Sequence, residues 1–200
     1  MNRDSLQKNR GVLRLLFLIF LISLLALNWS DIYWIFNPRV ISFGIQSVVG
    51  RNESINETYY QEVDSINIPL INISAPIVES KGSSDRDFAE ALDRGVVHFP
   101  ESAIPGEIGT AILLGHSAPA GWPKINYDWV FSEIEKLNEG DKIEIYFNKR
   151  KYIYKVKEKI FLEIGEDLPS YASDKSEIVL LSCWPPGRNI KRIGVRAILE

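Results

Sequence analysis

Between Lys142 and Lys157 polar and apolar residues take turns. Lys142-Ile143-Glu144-Ile145-Tyr146-Phe147 alternates, and Lys151–Lys157 does the same. A period of two puts one set of side chains on each face of a strand, as a half-buried strand requires. The polar Asn148-Lys149-Arg150 between them reads as a short turn, so the stretch predicts a β-hairpin. Two other runs are continuously apolar: Ala111-Ile112-Leu113-Leu114-Gly115, and Ile178-Val179-Leu180-Leu181 ending on Ser182. Such runs predict buried strands. Ile193–Leu199 predicts a last strand. Two helices are expected. One covers Asp85–Asp93, with Ser84 as N-cap and Gly95 just past its end; the other covers Trp129–Leu137, ahead of Asn138-Glu139-Gly140. Many short strands with few helices predict a mainly β chain closed into a barrel.

The N-terminal pattern is different. Arg3, Lys8, Arg10 and Arg14 precede Leu15–Ser30, which carries no charge and is dominated by Leu, Ile and Phe. Ile32–Phe36 extends the run beyond the single Asp31, and Trp29, Tyr33 and Trp34 suit a membrane interface. The expected organisation is a basic tail over 1–14, a transmembrane anchor over 15–36, a stalk over 37–65 and one globular domain over 66–200. A short amphipathic helix is expected within the stalk, around Ile41–Val49. The basic flank predicts a cytoplasmic N-terminus and an external remainder. A cleaved signal peptide is disfavoured, because Ala26 has Leu24, not a small residue, two positions before it.

Composition narrows the chemistry. The net charge is −3 over 200 residues. No basic patch alternates with aromatics, which argues against nucleic-acid binding. The single cysteine excludes a disulfide-stapled scaffold, and no metal-ligand spacing is present.

That cysteine, Cys183, stands where the apolar run Ile178–Ser182 opens into Trp184-Pro185-Pro186-Gly187. His116 closes the other apolar run in the same way and is followed by Ser117-Ala118-Pro119. A strand end entering a loop holds a side chain rigidly while exposing it. Either residue alone has a bland reading: a buried small thiol, or a hydrogen-bonded strand-end histidine. Their matched contexts point to a Cys–His pair, with a thiolate nucleophile and an acid–base partner. His98 precedes Phe99-Pro100 with no obvious partner and reads mainly as a loop histidine near the groove.

These residues resemble a sortase, the membrane-anchored cysteine transpeptidase of bacterial surfaces. Val179-Leu180-Leu181-Ser182-Cys183 is similar to the family's Thr-Leu-x-Thr-Cys motif, with Val179 and Ser182 in place of the two threonines. Cys183-Trp184-Pro185-Pro186-Gly187-Arg188-Asn189-Ile190-Lys191-Arg192 fits the spacing Cys-x-Pro-x-Gly-x-Asn-x-x-Arg. Pro105–Gly109 leading up to Leu114–Ser117 is similar to the family's approach to its histidine. Ile66–Pro69 and Ala75–Ile77 look like its opening strands. The resemblance spans Ile66 to the C-terminus and is nearest to single-anchor, class D/E-like housekeeping sortases.

The resemblance implies an eight-stranded mixed barrel. It implies Cys183 as nucleophile and His116 as general acid/base. Arg192, which by itself reads as a strand-face charge, would stabilise the oxyanion or position substrate; Arg196, on the same strand face, competes for that role. Ser182, Trp184 and His98 are expected near the substrate, and Trp122 and Trp129 are candidate groove residues. The implied partners are surface proteins bearing a C-terminal LPxTG-like sorting signal, an amine acceptor of the cell envelope, and the bilayer. The implied location is the cell membrane. No cofactor is expected; Glu163–Asp167, where family members sometimes bind calcium, reads as a solvated loop. Other readings are a pilin-polymerising sortase, a thiol protease in which water resolves the thioester, and an inactive tethered binding domain. The chain's ending just after the last strand favours anchoring over polymerisation.

Overall fold

The computed structural model describes residues 3–29, 36–38, 40–42, 63–82, 84–169 and 174–200. The chain divides into two compact units, Met1–Ile45 and Gln46–Glu200.

The first unit contains helix α1, Arg3–Leu27. The Asn28 side chain caps its end by donating to the Leu24 carbonyl at 2.8 Å. Trp29 stacks on Phe36 with ring centroids 5.8 Å apart. Apolar side chains from Leu13 to Leu27 are exposed, Leu16 and Phe17 by more than half of their surface. Among the described residues no helix is long and apolar enough to cross a membrane. At 1.5 Å per residue, Leu15 to Leu27 spans only about 20 Å, against roughly 30 Å of hydrocarbon. The expected extension through Ile32–Ile35, most of the expected stalk, and the helix expected within Ile41–Val49 beyond Ser42 lie outside the described residues.

The second unit is a closed barrel of eight strands in the order β1-β2-β3-β4-β7-β8-β6-β5. They are β1 (Ser65–Ile68), β2 (Ile73–Glu79), β3 (Val96–His98), β4 (Gly109–Leu114), β5 (Lys142–Phe147), β6 (Arg150–Glu163), β7 (Ser176–Trp184) and β8 (Lys191–Leu199). Two pairs are parallel, β2 with β3 and β4 with β7; the others are antiparallel. The barrel is therefore mixed, as expected. Its interior is filled by inward-facing residues such as Ile66, Ile68, Ala75, Leu113, Ile143, Ile145, Ile178, Leu180 and Val195, all almost fully buried.

The β5–β6 hairpin forms, with a tighter turn and a longer second strand than the alternation predicts. Phe147 pairs with Arg150, so Asn148-Lys149 alone makes the turn. Both adopt positive φ, 50° and 61°, which is the geometry of a type I′ turn. β6 runs to Glu163 because β8 pairs with it from Tyr154 to Glu163, across an irregularity at Val156/Glu158.

Helix α2, Asp85–Leu92, begins with the expected Ser84 cap. Ser84 and Asp87 form a reciprocal capping box, which satisfies two otherwise orphaned backbone donors. The helix expected over Trp129–Leu137 does not form. That segment is a series of turns ending in a single 3₁₀ turn, Ile134–Lys136. The reason is where its backbone donors go. Phe131 N–H leaves the helical pattern and bonds the His116 carbonyl at 2.8 Å. Ser132 Oγ accepts the Ala118 N–H at 2.7 Å. Tertiary bonds to the strand-end loop thus override a helical propensity that is weak on its own.

Candidate active site at the ends of two parallel strands

β4 and β7 lie side by side and run the same way, pairing from Gly109↔Ser176 to Leu114↔Leu181. Gly115 N–H extends the ladder to the Leu181 carbonyl at 3.1 Å. Two hydroxyls then complete the junction. Ser182 Oγ donates to the Gly115 carbonyl at 2.7 Å, and Ser117 Oγ donates to the Cys183 carbonyl at 2.8 Å. These bonds bracket His116 and Cys183, and the ladder carried two residues beyond Leu114↔Leu181 aligns them. The two residues that the sequence pairs therefore stand at the neighbouring ends of adjacent strands. Both are half-buried. The β7–β8 connection folds back over this junction. Gly187 N–H bonds the Ser117 carbonyl at 3.2 Å. Gly187 has φ +75°, and a Cβ there would meet Pro119 at 2.4 Å, so only glycine fits so close an approach.

On the other side of Cys183 is β8. Cys183 is register partner of Arg192. Between them sits Asn189, whose Oδ1 accepts Arg192 Nη1–H at 2.7 Å and the Cys183 thiol at 3.8 Å. Arg192 Nη1 also donates to the Lys191 carbonyl at 3.1 Å. Arg196, four residues further along β8, is committed elsewhere. It donates Nε–H and Nη2–H to the two carboxylate oxygens of Glu177 at 2.8 and 2.7 Å, and Nη1–H to Glu158 at 2.9 Å. The Glu177 side chain is only 1% exposed. Its hydrogen bonds hold the Arg196 guanidinium above its already high ordinary value, with burial opposing. The structure thus brings Arg192, not Arg196, to the cysteine.

Beneath His116 the strand end is packed on Phe131, which lies where a Cβ on Gly115 would stand, 2.3 Å away. Two carboxylates face the histidine. A ring nitrogen of His116 and one oxygen each of Asp93 and Asp128 all lie within 4.8 Å of one another. All three are ligand-type side chains, and among the described residues they are the group spaced closely enough to hold a metal ion.

The remaining expected site residues divide. Ser182 is buried and fastens β7 to β4 through Gly115, so its hydroxyl faces the strand junction instead of a substrate. Trp184 is half-buried, edge-on to Phe161 at 5.6 Å, and packs against the core from beside Cys183. His98 is 8% exposed. Its Nε2–H donates to the Ala103 carbonyl at 2.9 Å, and Ser102 Oγ lies 3.2 Å away. It pairs with Leu113, upstream of His116 on an antiparallel strand, so it stands away from the cysteine and fastens its own loop. Glu163 pairs with Lys191 at 2.6 Å, and Glu166 accepts the Glu163 N–H at 2.8 Å. A groove of about 520 Å³ adjoins the junction, lined by Ala118 and Pro119 after His116, Pro186 after Cys183, and Trp122 and Trp129. Lys124 Nζ sits over the Trp129 ring at 4.3 Å.

Sequence reasoning assigned no role to Asn189, Asp93, Asp128 or Glu177. Asn189 had a signal in the motif spacing, and Asp93 had one as an anion closing a helix. Glu177 and Asp128 carried none, since a carboxylate at a strand start or in a loop reads as solvated.

Comparison with known proteins gives a consistent result. Residues 66–200 match the family model described as a Sortase domain. The chain is 30% identical over 121 residues to Sortase D of Bacillus subtilis (strain 168), covering 60% of this chain and 53% of that protein. It is 29% identical over 134 residues to Sortase A of Bacillus anthracis, covering 66% and 57%. It thus spans just over half the length of these relatives. Among solved structures it is similar to Clostridium perfringens sortase C with the C-terminal cell wall sorting motif. There the TM-score is 0.56 and the identity 30%, over 68% of this chain and 69% of that one.

Proposed function

Because the chain belongs to the sortase family, we propose that it is a cysteine transpeptidase acting on C-terminal sorting signals of surface proteins. The observation that carries this reading is the junction itself. Cys183 stands between His116 at the end of β4 and Arg192, its register partner on β8.

The Cys183 thiolate attacks the carbonyl carbon of the scissile peptide bond. The tetrahedral intermediate collapses as the C–N bond breaks, and His116 gives its proton to the leaving amine. The product is a thioester on Cys183. An incoming amine then loses a proton to His116 and attacks the same carbonyl. The C–S bond breaks and the thiolate returns. Arg192 presents a planar fork of donors to the oxyanion formed in both halves. Asn189 holds that fork by accepting from Nη1, and its Oδ1 also faces the thiol.

The acceptor is an amine of the cell envelope. The experiment gives the full chain a sorting-signal peptide with a short glycine peptide in excess. The expected product is the amide of the two, at a rate that rises with amine concentration. Exclusive release of the free acid would convert the reading to a thiol protease.

Residues 15–36 serve as an uncleaved membrane anchor, with the N-terminus cytoplasmic and the barrel outside. The supports are the basic flank, the uncharged run Leu15–Ser30, and the exposed apolar side chains of α1. Protease added to intact spheroplasts is expected to digest the barrel. Digestion only after lysis would reverse the topology.

A further inference from the structure

Asp93 is the C-cap of α2, and the last turn of that helix carries no basic residue. A helix C-terminus is where the backbone dipole disfavours an anion. A carboxylate there contributes nothing favourable to the helix through the dipole, so its placement asks for another explanation. Its surroundings supply one. An oxygen of Asp93, an oxygen of Asp128 and a ring nitrogen of His116 lie within 4.8 Å of one another, and all three residues are half-buried. They come from three separate stretches: the end of α2, the β4–β5 connection, and the end of β4.

The connection carrying Asp128 is stitched directly to the histidine's own segment. Phe131 N–H bonds the His116 carbonyl, and Ala118 N–H bonds Ser132 Oγ. Asp128 itself is held in a turn by its N–H to the Ile125 carbonyl at 2.9 Å. The position of Asp128 relative to the imidazole is therefore fixed by backbone, not by a flexible side chain reaching across a surface. This is the connection whose expected helix is absent, and the bonds that replace the helix are those that hold Asp128 to the histidine.

Resting on the reading of His116 as the acid–base group, we infer that Asp93 and Asp128 are positioning residues for it. The two carboxylates orient the ring. They also balance the positive charge that the ring carries between taking the acceptor's proton and releasing one to a leaving amine. A cysteine with a partner histidine and a carboxylate behind it is the general layout of nucleophilic acyl-transfer sites, in which the third group orients the base. Here that third group is a pair of carboxylates, drawn from two different elements.

The test uses the full chain and the isosteric variants Asp93→Asn and Asp128→Asn, with Asp141→Asn as a control remote from the site. The chain has only two histidines, His98 and His116. Ring ¹⁵N resonances therefore resolve the two, and His98, tied to Ala103, is an internal reference. Each site variant is expected to move the His116 ring signals and leave those of His98 in place. Each is expected to lower kcat about tenfold or more, within the range that a positioned acid–base group contributes, with KM nearly unchanged. Asp93→Asn is expected to melt no lower than the wild type, since it removes an anion from a helix C-terminus. Unmoved His116 signals in both variants overturn the placement, whether or not the chain turns over. Moved signals with kcat retained overturn the role. A wild-type chain that forms no acyl-enzyme overturns the transpeptidase reading in a separate assay and takes the catalytic part of this inference with it, while the resonance arm still decides the placement.

Discussion

Arg192 and Arg196 lie four residues apart on β8 and do opposite things. Arg192 ends beside Asn189 and Cys183. Arg196 is locked to a buried glutamate. Arg192→Ala is therefore expected to leave the melting temperature nearly unchanged and to cost on the order of 100-fold in turnover. Arg192→Lys keeps the charge, loses the fork, and should be impaired as well. Arg196→Ala leaves Glu177 charged without its main partner in a buried setting, so it is expected to destabilise the fold by about 3–5 kcal/mol. Denaturant unfolding and steady-state rates measured on both variants separate the two effects. Here the sequence carried half of the answer. Spacing from Cys183 favoured Arg192, but Arg196 read as a strand-face charge, because nothing in the sequence marks Glu177 as buried. Burial of a carboxylate is set by the β6–β8–β7 packing around it, and no local pattern reports it.

At the scale of elements, periodicity was legible and tertiary diversion was not. The alternation in β5 and β6, the apolar runs of β4 and β7, and the Ser84 cap of α2 all follow from residues within a few positions of one another. The 129–137 segment failed as a helix because the Phe131 N–H is drawn to the His116 carbonyl and Ser132 Oγ to the Ala118 N–H, both from another part of the chain. β3 was invisible for a related reason: three residues, Val96–His98, form a strand only because β2 and β4 lie on either side. The hairpin turn offers a direct check. Lys149 holds φ 61°, a region costing a non-glycine residue roughly 1–2 kcal/mol. Lys149→Gly is expected to raise stability by about 1 kcal/mol, read as a higher denaturation midpoint with unchanged slope. Ser84→Ala should lower stability by about 1 kcal/mol through loss of the cap.

Across the whole molecule, the strand order makes β4, β7 and β8 direct neighbours, which is why one strand junction holds the cysteine, the histidine and the arginine. Closure also ties β1 to the β5–β6 hairpin, where Glu144 accepts from Lys151 at 2.9 Å and from Asn67 at 3.0 Å. Chiefly the Lys151 hydrogen bond holds the Glu144 carboxyl below its ordinary 4.5. A depressed carboxylate contributes stability above its unfolded value, and that contribution is lost as pH falls through the folded one. Thermal melts from pH 6 down to pH 3 are expected to fall less steeply for Glu144→Gln than for the wild type. The central claim concerns Cys183, and mass spectrometry of the intact chain tests it most directly. Incubated with a sorting-signal peptide, the wild type is expected to gain the mass of the acyl fragment on Cys183 and to lose it when an amine is added. Cys183→Ala is expected to gain nothing. An acyl adduct that persists in Cys183→Ala would contradict the account.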